Sequence, residues 1–223
     1  ASLPTYRRAE LLRGISAGLE ARREELIRVL ALEAGKPRKA GSVEVDRAIF
    51  NFRNAAEEAQ RIDNDFVALD LLPAAKGYWG VIRRFPIGPI LAITPFNFPL
   101  NLVGHKIAPA LAAGNTVILK PAEWAPLSAS LLGDLASDAG IPAGVLNIVQ
   151  GIGEEVGAAL VSDRRVRRIS FTGSPETARH IGISAARNIV PFTAELGGKG
   201  PLVVFADADL EAAAKKAAGQ YDD

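Results

Sequence analysis

The sequence predicts an α/β protein: a Rossmann-like, mostly parallel sheet with helices on both faces, preceded by a helical layer. Three observations predict it. From Pro89 onward, short β-branched runs alternate with stretches of helical period, the pattern of a parallel sheet covered on both sides. Up to Gln60, apolar side chains recur instead at three- and four-residue spacing, with Arg and Glu between them. Loops bearing Gly, Pro, Lys and carboxylates follow the short runs, at the strand ends where open parallel sheets hold ligands.

Taken in order, Leu11, Leu12, Ile15, Leu19, Leu26, Ile27 and Leu30 set a helical period from about Arg7. Gly35-Lys36-Pro37 reads as a helix stop followed by a breaker. A further helix runs from about Val43 to Gln60, with Ile49, Phe50 and Phe52 as apolar contacts. From Asp70 to Arg84 the pattern turns to short extended pieces with Gly77 and Gly80, and Pro86 follows. Tyr78 to Arg84 reads either as one arm of a hairpin or as a plain connection. A protruding hairpin leaves an edge to be paired or covered, which makes it a candidate assembly surface. Strand candidates follow at Ile90–Ile93, Thr116–Lys120, Val145–Val149, Arg167–Phe171, Val190–Glu195 and Leu202–Phe205. Helix candidates lie at Leu100–Ala113, Pro126–Ala139, Glu154–Ser162, Pro175–Arg187 and Leu210–Ala218.

Composition bounds the function. The chain has 223 residues and is 48% hydrophobic, enough for one large domain with a sizeable core. A formal net charge of +1 offers no electrostatic argument for nucleic acid or an anionic membrane as partner. No apolar run is long enough to cross a bilayer, and no basic, apolar leader opens the chain, so a cytoplasmic protein is expected. Cysteine is absent, which excludes disulfides, thiolate metal sites and a thiol nucleophile within these residues. Methionine is absent too, and Gly219 to Asp223 has no helix-stop character, so a fragment of a longer protein is the working hypothesis.

Several loops could carry chemistry. In Phe171-Thr172-Gly173-Ser174-Pro175-Glu176 a strand runs into a helix, with Ser174 as N-cap and Pro175 at the first helical position. Free backbone N–H groups and the helix dipole there suit a pyrophosphate, and an ordinary capped helix reads from the same residues. Gly151-Ile152-Gly153-Glu154-Glu155-Val156-Gly157 follows a strand but has one residue too many for the G-x-G-x-x-G fingerprint, so a plain strand–helix loop is the better reading. Lys120 and Glu123 could hydrogen-bond ribose hydroxyls, and a carboxylate there would repel a 2′-phosphate; a surface ion pair is the bland alternative. Asn97, in the Pro-bracketed turn Thr94-Pro95-Phe96-Asn97-Phe98-Pro99, could donate to a developing oxyanion or simply stabilise its own turn. Glu195 ends an apolar strand before Gly197-Gly198 and could act as a general base or reach solvent. His105 and His180 lie in predicted helices without partners at metal spacing, so no metal is expected, and N-capping accounts for Asp207 and Asp209.

Each signal alone is weak, but their order is specific. Thr94-Pro95-Phe96-Asn97-Phe98-Pro99, Lys120-Pro121-Ala122-Glu123, Phe171-Thr172-Gly173-Ser174 and Glu195-Leu196-Gly197-Gly198-Lys199 match family motifs in family order. The chain thereby resembles the amino-terminal half of the NAD(P)-dependent aldehyde dehydrogenase superfamily. The resemblance implies that Asn97 stabilises the oxyanion and Glu195 activates water. It implies that Lys120 and Glu123 hold the adenosine ribose and that Gly173 and Ser174 contact the pyrophosphate. Thr94, Pro95 and Phe96 would line the cofactor groove, with Gly153 and Leu196 as further contacts. The implied cofactor is NAD, with NADP as the alternative, and the implied substrate is a small-molecule aldehyde. In the family's chemistry a cysteine thiolate adds to the carbonyl, hydride leaves to the nicotinamide, and water hydrolyses the thioester.

The resemblance also implies a division of the chain. Residues 1–66 would be the helical part of the cofactor-binding domain and 67–86 an oligomerisation hairpin, giving a homodimer or homotetramer. Residues 87–196 would be the NAD(P)-binding Rossmann-like domain, and 197–223 the start of a catalytic domain cut before its nucleophile. Two departures stand out. The family's catalytic Cys, after a Gly-Gln-x-Cys signature, would lie beyond Asp223; Gly219-Gln220-Tyr221 looks like part of that signature but falls too early. Ala178 stands where the family often carries Gly at the helix start. A non-catalytic dinucleotide-binding paralogue or inactive fragment, and a CoA-acylating aldehyde dehydrogenase, are the rival expectations.

Overall fold

A computed structural model describes residues 3–62, 64–198 and 200–219. The helical layer has three helices: α1 (Thr5–Ala21), α2 (Arg23–Ala34) and α3 (Arg38–Gln60). The apolar period predicted from about Arg7 holds, and Leu11, Leu12, Ile15, Leu19, Leu26, Ile27 and Leu30 are all buried. The break between α1 and α2 at Arg22 was not expected; that residue alone leaves helical geometry, so the period survives it. Gly35 ends α2 at φ 62, a conformation glycine adopts without a Cβ clash. Helix α3 starts right after Pro37, five residues before the expected Val43. Its first turn is polar and small, so it carries no apolar period to read. Phe52 is fully buried as expected, whereas Phe50 is 53% exposed and is not a core contact.

Strands β1 (Asp65–Ala68) and β2 (Trp79–Ile82) pair antiparallel, with Phe66 opposite Val81 and Ala68 opposite Trp79. The hairpin reading therefore holds. The Phe66 and Trp79 rings stack at 4.9 Å on a ribbon whose large apolar side chains are exposed.

The main sheet is parallel throughout: β3 (Pro89–Ile93), β4 (Thr116–Lys120), β5 (Leu146–Ile148), β6 (Arg168–Gly173) and β7 (Phe192–Leu196), in the order β5-β4-β3-β6-β7. Helices α4 (Asn101–Ala112) and α5 (Pro126–Asp138) follow β3 and β4. Helices α6 (Ala158–Ser162) and α7 (Pro175–Asn188) flank β6 in sequence. The stretch read as a helix from Glu154 opens instead with a π-helical turn, Gly153–Gly157, before α6. Gly151 before it has φ 143, and a Cβ there would meet the Val156 side chain at 2.4 Å.

Strand alternation builds two cores. Ile90, Ala92, Val117 and Leu119 point to one face, where they join α1–α5 in a single cluster with Phe52, Leu100 and Leu132. Leu91, Ile93, Ile169 and Phe171 point to the other, against Val161, Ala178, Ile181 and Ala185. Helices on both faces follow directly from this alternation. The strand expected at Leu202–Phe205 is not one: the segment is coil before α8 (Leu210–Gly219), and its four apolar side chains are 43–73% exposed. A strand needs a neighbour to bond, and among the described residues none lies beside it. Asp209 caps α8 by accepting from the Ala212 N–H at 3.1 Å, as read.

Candidate active site

In the strand order, the chain winds outward from β3 to β5, then returns to the other side of β3 with β6 and β7. The reversal between β3 and β6 is a topological switch point, and the crevice outside their carboxyl ends is where such sheets bind ligands. Register brings the ends to one rim: Ile93 lies opposite both Lys120 and Phe171, Thr172 opposite Glu195, and Gly173 opposite Leu196. The site residues read from sequence fall on or just after these strand ends, except Gly153, which lies five residues past β5 in the π-helical turn.

Thr94 follows β3. Its N–H donates to the Lys120 carbonyl at 3.3 Å, and its buried Oγ1 has no hydrogen-bond partner among the described residues. A buried hydroxyl left unpaired is what a ligand in the crevice would satisfy. Phe96, past Pro95, is exposed and packs tilted against Trp124 at 5.4 Å, joining the loop after β3 to the loop after β4. Asn97 is exposed. Its Oδ1 accepts from the Phe98 N–H at 3.1 Å, while Nδ2 makes no hydrogen bond among the described residues. The amide is thus held at its acceptor and open at its donor.

Lys120 ends β4 and donates to Glu123 Oε2 at 2.8 Å. The pair is not the surface contact of the bland reading, because the Lys120 side chain is 4% exposed and that of Glu123 39%. The hydrogen bond from Lys120 holds the Glu123 carboxyl below its usual value. Ser174 caps α7 as expected, accepting from the Thr177 N–H at 3.1 Å, with Pro175 next. That cap uses one of the free N–H groups of the first turn and leaves the dipole's positive end at the rim. Gly173 has a nearer reason to be glycine than a ligand: a Cβ there would meet the Phe171 ring at 2.5 Å. Gly153 is exposed in the π-helical turn, with nothing within 4 Å of an added Cβ. Glu195 and Leu196 end β7 and are exposed. Lys199 of the same motif, and Gln220-Tyr221 of the signature-like end, lie outside the described residues.

Sequence reading missed Lys106. It projects from α4, is 9% exposed, and donates to Ser170 Oγ on β6 at 3.1 Å. Burial pushes its ammonium down to about 8, and the Glu195 carboxylate acts in the opposite direction. The signal was present: Lys106 shares a helix stripe with Val103 and Ala110, where a solvated lysine has no place. Ser170, Thr172, Thr193 and Glu195 alternate onto the face of β6 and β7 that Lys106 meets, so that face is polar where the same face of β3 and β4 is apolar. Sequence reading also missed Lys36 and Glu44, which meet at 2.6 Å beneath the Asn97 turn.

Together these features define a doubly wound α/β domain with polar side chains gathered at the strand ends of its switch point. The aldehyde dehydrogenase family model matches residues 1–221. Aspartate-semialdehyde dehydrogenase 1 of Pseudomonas canavaninivorans is 42% identical over 213 residues, covering 96% of this chain and 45% of that protein. The crystal structure of aldehyde dehydrogenase from Brucella melitensis biovar abortus 2308 superposes with a TM-score of 0.92 at 41% identity, over 97% of this chain and 44% of that one. The crystal structure of PnpE in complex with nicotinamide adenine dinucleotide gives a TM-score of 0.92 at 37% identity, over 98% and 44% of the two chains. This chain belongs to the aldehyde dehydrogenase family, and it spans less than half the length of the relatives it matches.

Proposed function

We propose that this chain is the cofactor-binding half of an enzyme that oxidises an aldehyde to a carboxylic acid with NAD(P)+. The observation that carries the reading is the convergence of an open amide, a Lys–carboxylate pair, a capped helix start and a carboxylate on one rim of a family-matched fold. Lys120 and Glu123 would hold the adenosine ribose, and Gly173 and Ser174 the pyrophosphate. Thr94, Pro95, Phe96, Gly153 and Leu196 would line the groove. The Thr94 Oγ1, unpaired among the described residues, and the positive end of the α7 dipole fit such a ligand. When bound, the cofactor supplies a hydride acceptor. Glu123 favours NAD over NADP, because its carboxylate repels a 2′-phosphate and already engages the Lys120 charge.

The chain's own residues supply electrostatics and proton handling. Asn97 donates from Nδ2 to the oxygen that gains charge when a nucleophile adds to the carbonyl carbon, as an oxyanion-hole donor does. The nucleophile is a thiolate from outside these residues, since the chain has no cysteine. Glu195 takes a proton from the water that attacks the acyl carbon. A base so placed suits hydrolysis rather than transfer to CoA. The exposed apolar hairpin of β1 and β2 supports assembly into a homodimer or homotetramer, with 67–86 as the oligomerisation element. The remaining divisions (1–66 as the part that carries the helical layer and whose last residues open β1, Rossmann-like 87–196 and catalytic 197–223) and a cytoplasmic location belong to the same reading; no helix among the described residues is long and apolar enough to cross a membrane.

The test is turnover of the full-length protein with NAD and NADP over short, aromatic and phosphorylated aldehydes. Aldehyde-dependent formation of reduced cofactor is expected, faster with NAD. No turnover across the panel, with a cysteine present downstream, would refute the reading.

A further inference from the structure

Two charged side chains off the strand-end rim hold the turn that carries Asn97. Glu44, in the second turn of α3, is fully buried. Its Oε1 accepts from the N–H groups of Leu100 at 2.9 Å and Asn101 at 3.0 Å, at the start of α4. Its Oε2 accepts from Lys36 Nζ at 2.6 Å. Lys36 Nζ also donates to the Asn97 carbonyl at 2.8 Å and stands 3.7 Å from the centroid of the Phe98 ring.

This arrangement is specific. A buried carboxylate is unfavourable unless it is both paired and hydrogen-bonded, and Glu44 is both. It lies at a helix N-terminus, where negative charge is favoured, and it takes over the capping that Leu100 does not supply. Lys36 sits one residue past the left-handed Gly35, so the end of α2 delivers its ammonium to the turn. Asn97 itself is exposed. The turn is nonetheless fixed at the carbonyl of residue 97, the ring of 98 and the N–H groups of 100 and 101, all through one ion pair anchored in the helical layer.

We propose that Lys36 and Glu44 are positioning residues for Asn97: the buried ion pair holds the turn so that Nδ2 is aimed before the reaction begins. Neither touches the substrate; both act through the backbone. The proposal rests on Asn97 as the oxyanion donor and adds the device that orients it. An oxyanion donor is effective only if it is already in place when charge develops, so a loosened turn slows the chemical step and leaves cofactor binding intact.

The experiment uses the full-length protein and measures kcat, KM for aldehyde and dinucleotide, and melting temperature. The variants are Glu44→Gln, Lys36→Gln, the Lys36→Gln/Glu44→Gln double, Asn97→Ala, and Glu44→Gln combined with Asn97→Ala. Asn97→Ala is expected to lower kcat about a hundredfold, and Glu44→Gln or Lys36→Gln about tenfold, with KM for the dinucleotide changed by less than about twofold. Adding Glu44→Gln to Asn97→Ala is expected to cost no further kcat, because residues acting as a unit are not additive. The doubly neutral variant leaves no buried unpaired charge, so it keeps the test readable if a single variant melts early. Losses from Glu44→Gln and Asn97→Ala that multiply, or full kcat in both the Glu44→Gln and the doubly neutral variant, overturn the positioning role while leaving Asn97 in place. Full kcat in Asn97→Ala removes the oxyanion reading itself, and the positioning role with it.

Discussion

Replacing Lys106 with Met should raise stability at neutral pH and flatten its dependence on alkali. Lys106 is buried where α4 meets β6; it donates to the uncharged Ser170 Oγ at 3.1 Å, and the Glu195 carboxylate partly offsets its burial. Burial takes its ammonium from the ordinary 10.5 to about 8. At about 1.4 kcal/mol per pH unit, that fall corresponds to about 3 kcal/mol of destabilisation wherever the lysine is charged in both states. The direction follows from proton binding. Between pH 8 and 10.5 the unfolded chain keeps the proton that the folded chain has released, so stability rises with pH across that window. Below 8 both states are charged and the full penalty applies; above 10.5 neither is. Met keeps the length and apolar stem but gives up the hydrogen bond to Ser170, about 1 kcal/mol. Lys106→Met should therefore be more stable than wild type by about 2 kcal/mol at pH 7, and the gap should close towards pH 10. Denaturant melts of both full-length proteins at intervals from pH 6.5 to 10 read this directly. Parallel curves with no convergence would refute the claim that this lysine is desolvated when folded.

Other expectations follow from single contacts. Glu123→Gln should shift the NADP-to-NAD ratio of kcat/KM towards NADP by about tenfold, since one charge facing a phosphate is worth about 1 kcal/mol or more at a half-exposed site; an unchanged ratio would remove Glu123 from cofactor discrimination. Gly151→Ala should destabilise by about 1–3 kcal/mol, because φ 143 and the Val156 side chain at 2.4 Å both oppose a Cβ; wild-type melting would show that the turn relaxes freely. Phe66→Asp on the hairpin should lower the oligomeric state seen by light scattering without loss of the monomer's fold. An unchanged mass would place the assembly contact elsewhere.

Most of the sheet could be read from the sequence because each strand is short, β-branched and closed by a turn residue. The starts of β4, α5 and α7 fell where Thr116, Pro126 and Pro175 put them. The ends of elements slipped where periodicity is silent: α3 began in a polar turn, and the helix before Ser162 opened as a π-helical turn. Leu202–Phe205 shows the opposite error, an apolar run with every local mark of a strand and no neighbour among the described residues to bond.

By itself, the sequence determined which local conformations form and which loops bear the polar groups, since periodicity, caps and turn residues act over a few neighbours. The pairing order that brings those loops to one rim was decided only in the tertiary structure. So was the environment of three charges: Glu44 is fully buried and Lys36 nearly so although both look like solvated residues in one dimension, and Lys106, whose helix stripe hints at burial, finds its partner only in the fold. Their environment is set by elements distant along the chain: β6 lies against Lys106, and the α4 start against Glu44. Desolvation and pairing depend on what surrounds a group in space, and a one-dimensional pattern does not contain that information.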